Sequence, residues 1–177
     1  WIRQQGVPAM LKADGTYGGR GVRTVHSLEE ARETFRLLSS PPSAARAIKR
    51  ALVNGDPSYM RSLLSGARPV VNAQRFVAGQ DATSSIACWD GKVLAAITGA
   101  VVHTVGRQGP SSVVRIVDNR EIAEAASKIV GRLWLSGMVG FDFLIEQRSG
   151  DAYLVEMNPR ATQMGHLALG EGRDLAA

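Results

Sequence analysis

A single cysteine, Cys88, occurs in the chain. No internal disulfide can form, and its place in an apolar run makes it a small buried hydrophobe in a reducing, cytoplasmic setting. Long hydrophobic runs are missing too. None approaches the roughly 18 residues a membrane span needs, and the opening Trp1-Ile2-Arg3-Gln4-Gln5 is no signal peptide, so no membrane partner is expected. Lysine is scarce, with 4 Lys against 17 Arg and a formal charge of +5. This positive excess is scattered and forms no block or stripe of the kind that binds nucleic acid, so a small anionic ligand is expected instead. An initiator methionine is absent, and Gly172 to Ala177 reads as a helix cap with only three helical residues after it. The chain is therefore expected to be a piece of a longer protein, without its preceding and following domains.

What is present is an ordinary globular composition. Of 177 residues, 45% are hydrophobic and 21% charged, enough to bury a core in one domain or two small lobes. Pro8 to Ala13 is a short apolar run carrying Lys12, followed by Gly15-Thr16-Tyr17-Gly18-Gly19-Arg20-Gly21 and a second apolar stretch at Val22 to Val25. The order reads strand, glycine loop, strand. Four glycines in seven residues leave backbone N–H groups open to phosphate oxygens, or simply make a flexible hairpin. The loop is neither a Walker loop, which needs Lys and Ser/Thr after its last glycine, nor the G-x-G-x-x-G dinucleotide pattern.

Ser27 to Leu38 reads as a helix, with Ser27 and Glu30 as a capping box and Leu28, Ala31, Phe35 and Leu38 as its apolar stripe. Two more helices are expected over 44–53 and 56–64. Strands follow at 69–77, at 83–89 after a turn at 78–81, and at 92–97 after the Asp90-Gly91 hairpin signal; together they predict an antiparallel meander. Residues 98–112 read as a polar loop, a mobile cover for a site or a plain surface loop. A strand at 112–117 and a helix from Asp118-Asn119 to Leu135, with Gly137 past its end, complete the lead-in.

The most informative stretch runs from Gly140 to Arg160. Gly140-Phe141-Asp142-Phe143-Leu144-Ile145-Glu146, a polar turn, and Tyr153-Leu154-Val155-Glu156-Met157-Asn158-Pro159-Arg160 form two alternating arms. With a period of two, residues 142 and 144 share one face, as do 156 and 158 on the other arm. An Asp, a Glu and an Asn on paired strands suit a hard cation such as Mg²⁺, which takes oxygen ligands and completes its shell with substrate phosphate. Arg160 places a fixed cation at the strand end, fitted to a phosphoryl or carboxylate group. An ordinary hairpin with a charged wet face has the same pattern.

Taken together, strand-Lys-glycine loop-strand-helix, antiparallel strands, helix, an Asp strand and a Glu-x-Asn-Pro-Arg strand resemble the ATP-grasp fold over nearly the whole chain. The resemblance implies an α+β fold in which two lobes with antiparallel sheets clasp the nucleotide, here 1–70 as a small lobe with the glycine loop and helices and 71–177 as a larger lobe with a hinge strand and metal site. It also implies residue roles. Lys12 would hold the α- or β-phosphate of ATP, with Gly18, Gly19, Arg20 and Gly21 in the flap. Gln74, Arg75, Phe76 and Val77 would be the adenine-binding hinge strand, and Asp81 would lie near the ribose. Asp142, Glu156 and Asn158 would bind Mg²⁺ (or Mn²⁺), and Arg160 would be the catalytic contact to the transferred phosphoryl group. There are departures: Arg75 stands where many members carry Glu, a second phosphate-binding lysine has no match, and Ala161-Thr162-Gln163-Met164-Gly165-His166 replaces the commoner double glycine.

The implied activity is that of an ATP-dependent ligase. Such an enzyme phosphorylates a carboxylate to an acyl phosphate, which an amine, a thiol or another nucleophile attacks. That chemistry rests on positioning and on cations around the γ-phosphate, which fits the absence of a Ser/His/Asp or Cys/His nucleophile set. Its acceptor would bind between this module and a missing preceding domain, so the piece alone is expected to be inactive. The other function class is a regulatory or degenerate nucleotide-binding module without ligase activity. Nucleic-acid binding rests only on the arginine count and the pI. Oligonucleotide affinity measured from about 50 to 200 mM salt separates it: a phosphate-binding surface loses affinity steeply over that range, and a flat response is expected here.

Overall fold

The computed structural model describes residues 1–14, 21–40, 68–105, 111–170 and 173–175. The glycine loop at 15–20, the two helices expected over 44–53 and 56–64, and residues 106–110 lie outside them. The chain divides into two compact units, Trp1–Phe76 and Val77–Ala177. The division falls six residues beyond the boundary expected from the sequence.

In the first unit a short helix α1 (Ile2–Gln5) precedes β1 (Ala9–Ala13), β2 (Val22–Val25), α2 (Leu28–Leu38) and β3 (Val71–Arg75). The three strands form an antiparallel sheet in the order β2-β1-β3. Alternation along β1 buries Ala9, Leu11 and Ala13 and turns Met10 and Lys12 to the opposite face. Ala9, Leu11 and Val25 pack with Ala31 of α2 to make the core. The α2 start follows its sequence signal: Ser27 Oγ accepts from Glu30 N at 3.1 Å, while Glu30 Oε2 accepts from His26 N at 2.7 Å. The stripe is narrower than expected, because Leu28 and Phe35 are exposed and Ala31 is the residue α2 buries.

The second unit contains β4 (Gly79–Trp89), β5 (Lys92–Thr104), β6 (Ser111–Ile116), α3 (Arg120–Leu133), β7 (Gly137–Glu146) and β8 (Ala152–Asn158). A 3₁₀ turn at Gln163–His166 and a small ladder of β9 (Ala168–Gly170) and β10 (Arg173–Asp174) follow. The main sheet has five antiparallel strands in the order β6-β5-β4-β7-β8. One face packs on α3, with Ile86, Val139, Phe141 and Phe143 against Ile122, Ala126 and Val130. On the opposite face Met164, Ile97 and Leu175 form a satellite cluster.

Several expected elements are corrected. The strand at 69–77 does not join a meander with β4 and β5; it is β3, paired with β1 from Ala9↔Arg75 to Ala13↔Val71. The turn expected at 78–81 is mostly strand, since β7 is long enough to pair with β4 back to Gly79↔Glu146. The polar stretch from 98 continues β5 to Thr104, because β4 and β6 supply ladders on both sides and outweigh its weak propensity. The last helix ends at Leu133, closed by Trp134 in the left-handed region (φ 52°, ψ 46°) and not by Gly137. Residues 173–174 form β10, and of the three helical residues expected after them 176 and 177 lie outside the described residues.

Phe143 is 1% exposed and meets Phe141 edge-on at 6.3 Å between ring centroids. Phe143→Ala is expected to cost about 3–5 kcal/mol in urea unfolding. Leu94→Ala, at a residue 69% exposed, is expected to stay within about 0.5 kcal/mol.

Candidate functional site

Strand β7 has two chemically different faces. Phe141 and Phe143 enter the α3 core, so the residue between them, Asp142, must emerge on the other face. Registers on both sides build a row across three strands on that face, Thr83↔Asp142↔Glu156, and beside it a second row, Ser85↔Gly140↔Asn158. Directly paired residues point to the same side of a sheet with Cβ atoms about 5 Å apart. The two carboxylates therefore stand side by side. A bulge between Asp142 and Phe143 leaves Val155 unpaired, so that Phe143 meets Leu154 while Asp142 meets Glu156. Such bulges re-aim side chains at sheet edges.

Asn158 closes the group. Its Nδ2 donates to Asp142 Oδ2 at 3.1 Å, which leaves the amide carbonyl oxygen for another partner. Two carboxylates and an amide oxygen are a hard donor set, suited to Mg²⁺ when ligand phosphate supplies further oxygens. Among the described residues no group of three or more His, Cys, Asp or Glu side chains could hold a metal by itself. Asp81 lies two residues before Thr83 on the same face, opposite Leu144. It keeps contact with solvent, yet loss of water around its carboxyl and, second, the negative charge of Asp142 raise its pKa above the ordinary aspartate value. Asp81 also lines an open cleft of about 800 Å³ with Gln80, Val101, His103, Glu146 and Gln147.

The remaining residues singled out in the sequence fall as follows. Lys12 is half-buried on β1, on the face away from α2, with Asn72 opposite it and Gln74 opposite neighbouring Met10. Arg75 pairs with Ala9 and so belongs to the α2 face, opposite to that of Lys12. Phe76 is 36% exposed and Val77 half-buried. Gly21 is buried, and its carbonyl accepts from Ala13 N at 2.9 Å; Gly18, Gly19 and Arg20 lie outside the described residues. Arg160 is exposed just past β8. Its backbone N–H donates to Asn158 O at 2.8 Å, and Nη1 donates to Ala161 O at 3.3 Å. Cys88 is buried and donates through Sγ to Gly137 O at 3.3 Å, and burial pushes its thiol pKa up.

Three residues next to the carboxylates escaped the sequence reading: Thr83, Ser85 and Thr162. The period-two rule would have found the first two, had β4 been started at Gly79 in place of Thr83. Thr162 carries no local signal, because only the folded turn brings it back over Gly140.

A family model described as an ATP-grasp domain matches residues 2–164. Among curated proteins, a biotin carboxylase of Allochromatium vinosum is 28% identical over 89% of this chain and 32% of its own length. Among solved structures, the biotin carboxylase domain of Hydrogenobacter thermophilus 2-oxoglutarate carboxylase, determined with MgADP, ADP and bicarbonate, has a TM-score of 0.60 at 16% identity, covering 92% of this chain and 33% of that one. An L-amino acid ligase from Bacillus licheniformis has a TM-score of 0.61 at 18% identity, covering 90% and 36%. The chain thus spans about a third of the length of these relatives.

The raised pKa of Asp81 has a definite sign. Ionisation of this carboxyl is harder in the folded chain than in the unfolded one, so its contribution to stability is present at acid pH and lost as pH rises through the carboxylate range. Asp81→Asn is therefore expected to melt higher than the wild type at pH 7 in metal-free buffer, with the gap closing toward pH 3. A variant equally or less stable at pH 7 would contradict the assignment.

Proposed function

The chain belongs to the ATP-grasp domain family, and from that premise we propose that it is the nucleotide-binding module of a ligase that uses ATP to phosphorylate a carboxylate. The acyl phosphate formed is then attacked by an amine, a thiol or another nucleophile. The observation that carries this reading is the pair of carboxylates on neighbouring strands with an amide bonded to one of them: Asp142 opposite Glu156, and Asn158 at 3.1 Å from Asp142. The relative solved with MgADP and bicarbonate joins a magnesium nucleotide to a small carboxylate-like anion, and the L-amino acid ligase supports an amine acceptor.

Asp142 and Glu156 would hold Mg²⁺ or Mn²⁺ through their oxygens, with the Asn158 carbonyl as a third donor. The bound metal supplies positive charge to the phosphate oxygens as negative charge shifts toward the leaving group. Arg160 is fixed by the backbone turn to Asn158 and offers its guanidinium to the phosphoryl group in flight. Lys12, on the face of β1 away from α2, neutralises the α- or β-phosphate. Gln74 to Val77 take the adenine, Asp81 the ribose, and Gly18 to Gly21 the covering loop. Arg75 on the α2 face leaves backbone groups of this segment to meet the adenine amino group. The acyl transfer needs no side-chain nucleophile, because ATP activates the carboxylate and the acceptor attacks it directly.

Glu156→Gln in the full-length protein is expected to lower Mg²⁺-dependent ADP release by about 100-fold or more, with the melting temperature nearly unchanged because the side chain is exposed. Full turnover in that variant would sink the proposal. A regulatory or decayed module is distinguished by equilibrium ATP binding, which would gain little on adding Mg²⁺.

A further inference from the structure

Beside the acidic row lies a second row, of which the proposed chemistry uses only Asn158. Ser85, Gly140 and Asn158 sit abreast on β4, β7 and β8, on the face that carries Asp142 and Glu156. Ser85 is 1% exposed and Gly140 is buried. The chain leaving β8 turns at Asn158 to Arg160 and folds back so that the Thr162 side chain rests on Gly140. A Cβ on Gly140 would collide with the Thr162 methyl and come within 3.2 Å of its hydroxyl oxygen. The space left by the missing side chain is thus the slot that Thr162 occupies. At the bottom of that slot the hydroxyls of Thr162 and Ser85 are hydrogen-bonded to each other.

Beyond Thr162 the same segment is anchored again. Gly165 N donates to Thr162 O at 2.9 Å, and Met164 is buried with Ile97 and Leu175. On the other side of the slot, Asn158 holds Asp142. Asn158 and Arg160 are therefore held between two fixed points, the β8 ladder before them and the Thr162 anchor after them. A side chain that must present an oxygen to a cation or phosphate needs such outer support.

Resting on the function proposed above, we propose that the Ser85–Thr162 hydroxyl pair, seated over Gly140, is a positioning clamp that sets the Asn158 amide and the Arg160 guanidinium against Asp142 and Glu156. Neither hydroxyl touches the reacting groups. Their effect passes through the turn from Asn158 to Thr162. The clamp occupies the segment, Ala161 to His166, that stands in place of the double glycine expected from the family resemblance.

The test compares the wild-type chain with Thr162→Val, Thr162→Ser, Ser85→Ala and Glu156→Gln. The first readout uses no ligand: the side-chain amide resonance of Asn158 in ¹⁵N-labelled protein. The second is Mn²⁺ affinity in the presence of ATP, followed by the electron-spin signal of free Mn²⁺, with melting temperature as the control for folding. Thr162→Val and Ser85→Ala are expected to shift or broaden the Asn158 resonance and to weaken Mn²⁺ binding about 10-fold, whereas Thr162→Ser keeps both near wild type. If Thr162→Val does not fold, Ser85→Ala, which deletes one oxygen atom, carries the same expectation. An unmoved Asn158 resonance together with wild-type Mn²⁺ affinity in the folded variants, while Glu156→Gln loses the metal, overturns the clamp and leaves the functional reading standing. A wild-type chain that takes up no Mn²⁺ with ATP overturns the functional reading instead, and the resonance then decides the clamp alone.

Discussion

Everything in the second unit depends on β7 being held on both edges. It pairs with β4 over ten positions on one side and with β8 on the other, and each ladder fixes its side-chain alternation. Because Phe141 and Phe143 are locked into the α3 core, at 0% and 1% exposure, Asp142 has only one direction in which to point. A register slip of one residue would turn the phenylalanines into water and the carboxylate into the core, a change that costs several kcal/mol on each count. The apolar core is thus what aims the acid.

The same constraint explains why the site lies where it does on its face. The side of the sheet away from α3 is covered at one end by Met164, Leu167 and Leu175, which pack with Ile97, Val114 and Met138. Asp81, Thr83, Asp142 and Glu156 lie on the same face and are not part of that cluster. Loss of water and, second, the negative charge of Asp142 raise the pKa of Asp81, and such crowding is tolerated where water or a cation can answer it. The fold's stability does not require the grouping.

Much of this was legible in the sequence, and the losses have physical causes. The 142/156/158 arrangement could be read because alternation is a local property of strands with one buried face, and the α+β family could be named because separate motifs stand in a fixed order. Capping worked at Ser27 and at Asn119, whose side chain accepts from Ile122 N at 3.0 Å, since caps involve residues three apart. What failed was long-range. That residues 71–75 pair with β1 is decided by partners some 60 positions earlier in the chain. The polar run from 98 to 104 is a strand only because β4 and β6 flank it. Trp134 closes α3 in a conformation that bulky residues avoid, with its ring beside the Asp90-Gly91 turn, so a tertiary contact overrides the local preference for glycine.

Thr162 shows the limit most sharply. Nothing within several residues of it distinguishes it from any threonine in a polar turn, yet it reaches Ser85, 77 positions away. That contact exists because position 140 is glycine on a strand whose neighbours 139 and 141 are large and buried. Read along the strand, Gly140 is a weak point, lacking a side chain to pack. Read across the sheet, it is the vacancy through which the turn after β8 is tied to β4. The alternation that aims Asp142 outward also opens this slot one step earlier on the same face. The acid row and its support are thus consequences of one register.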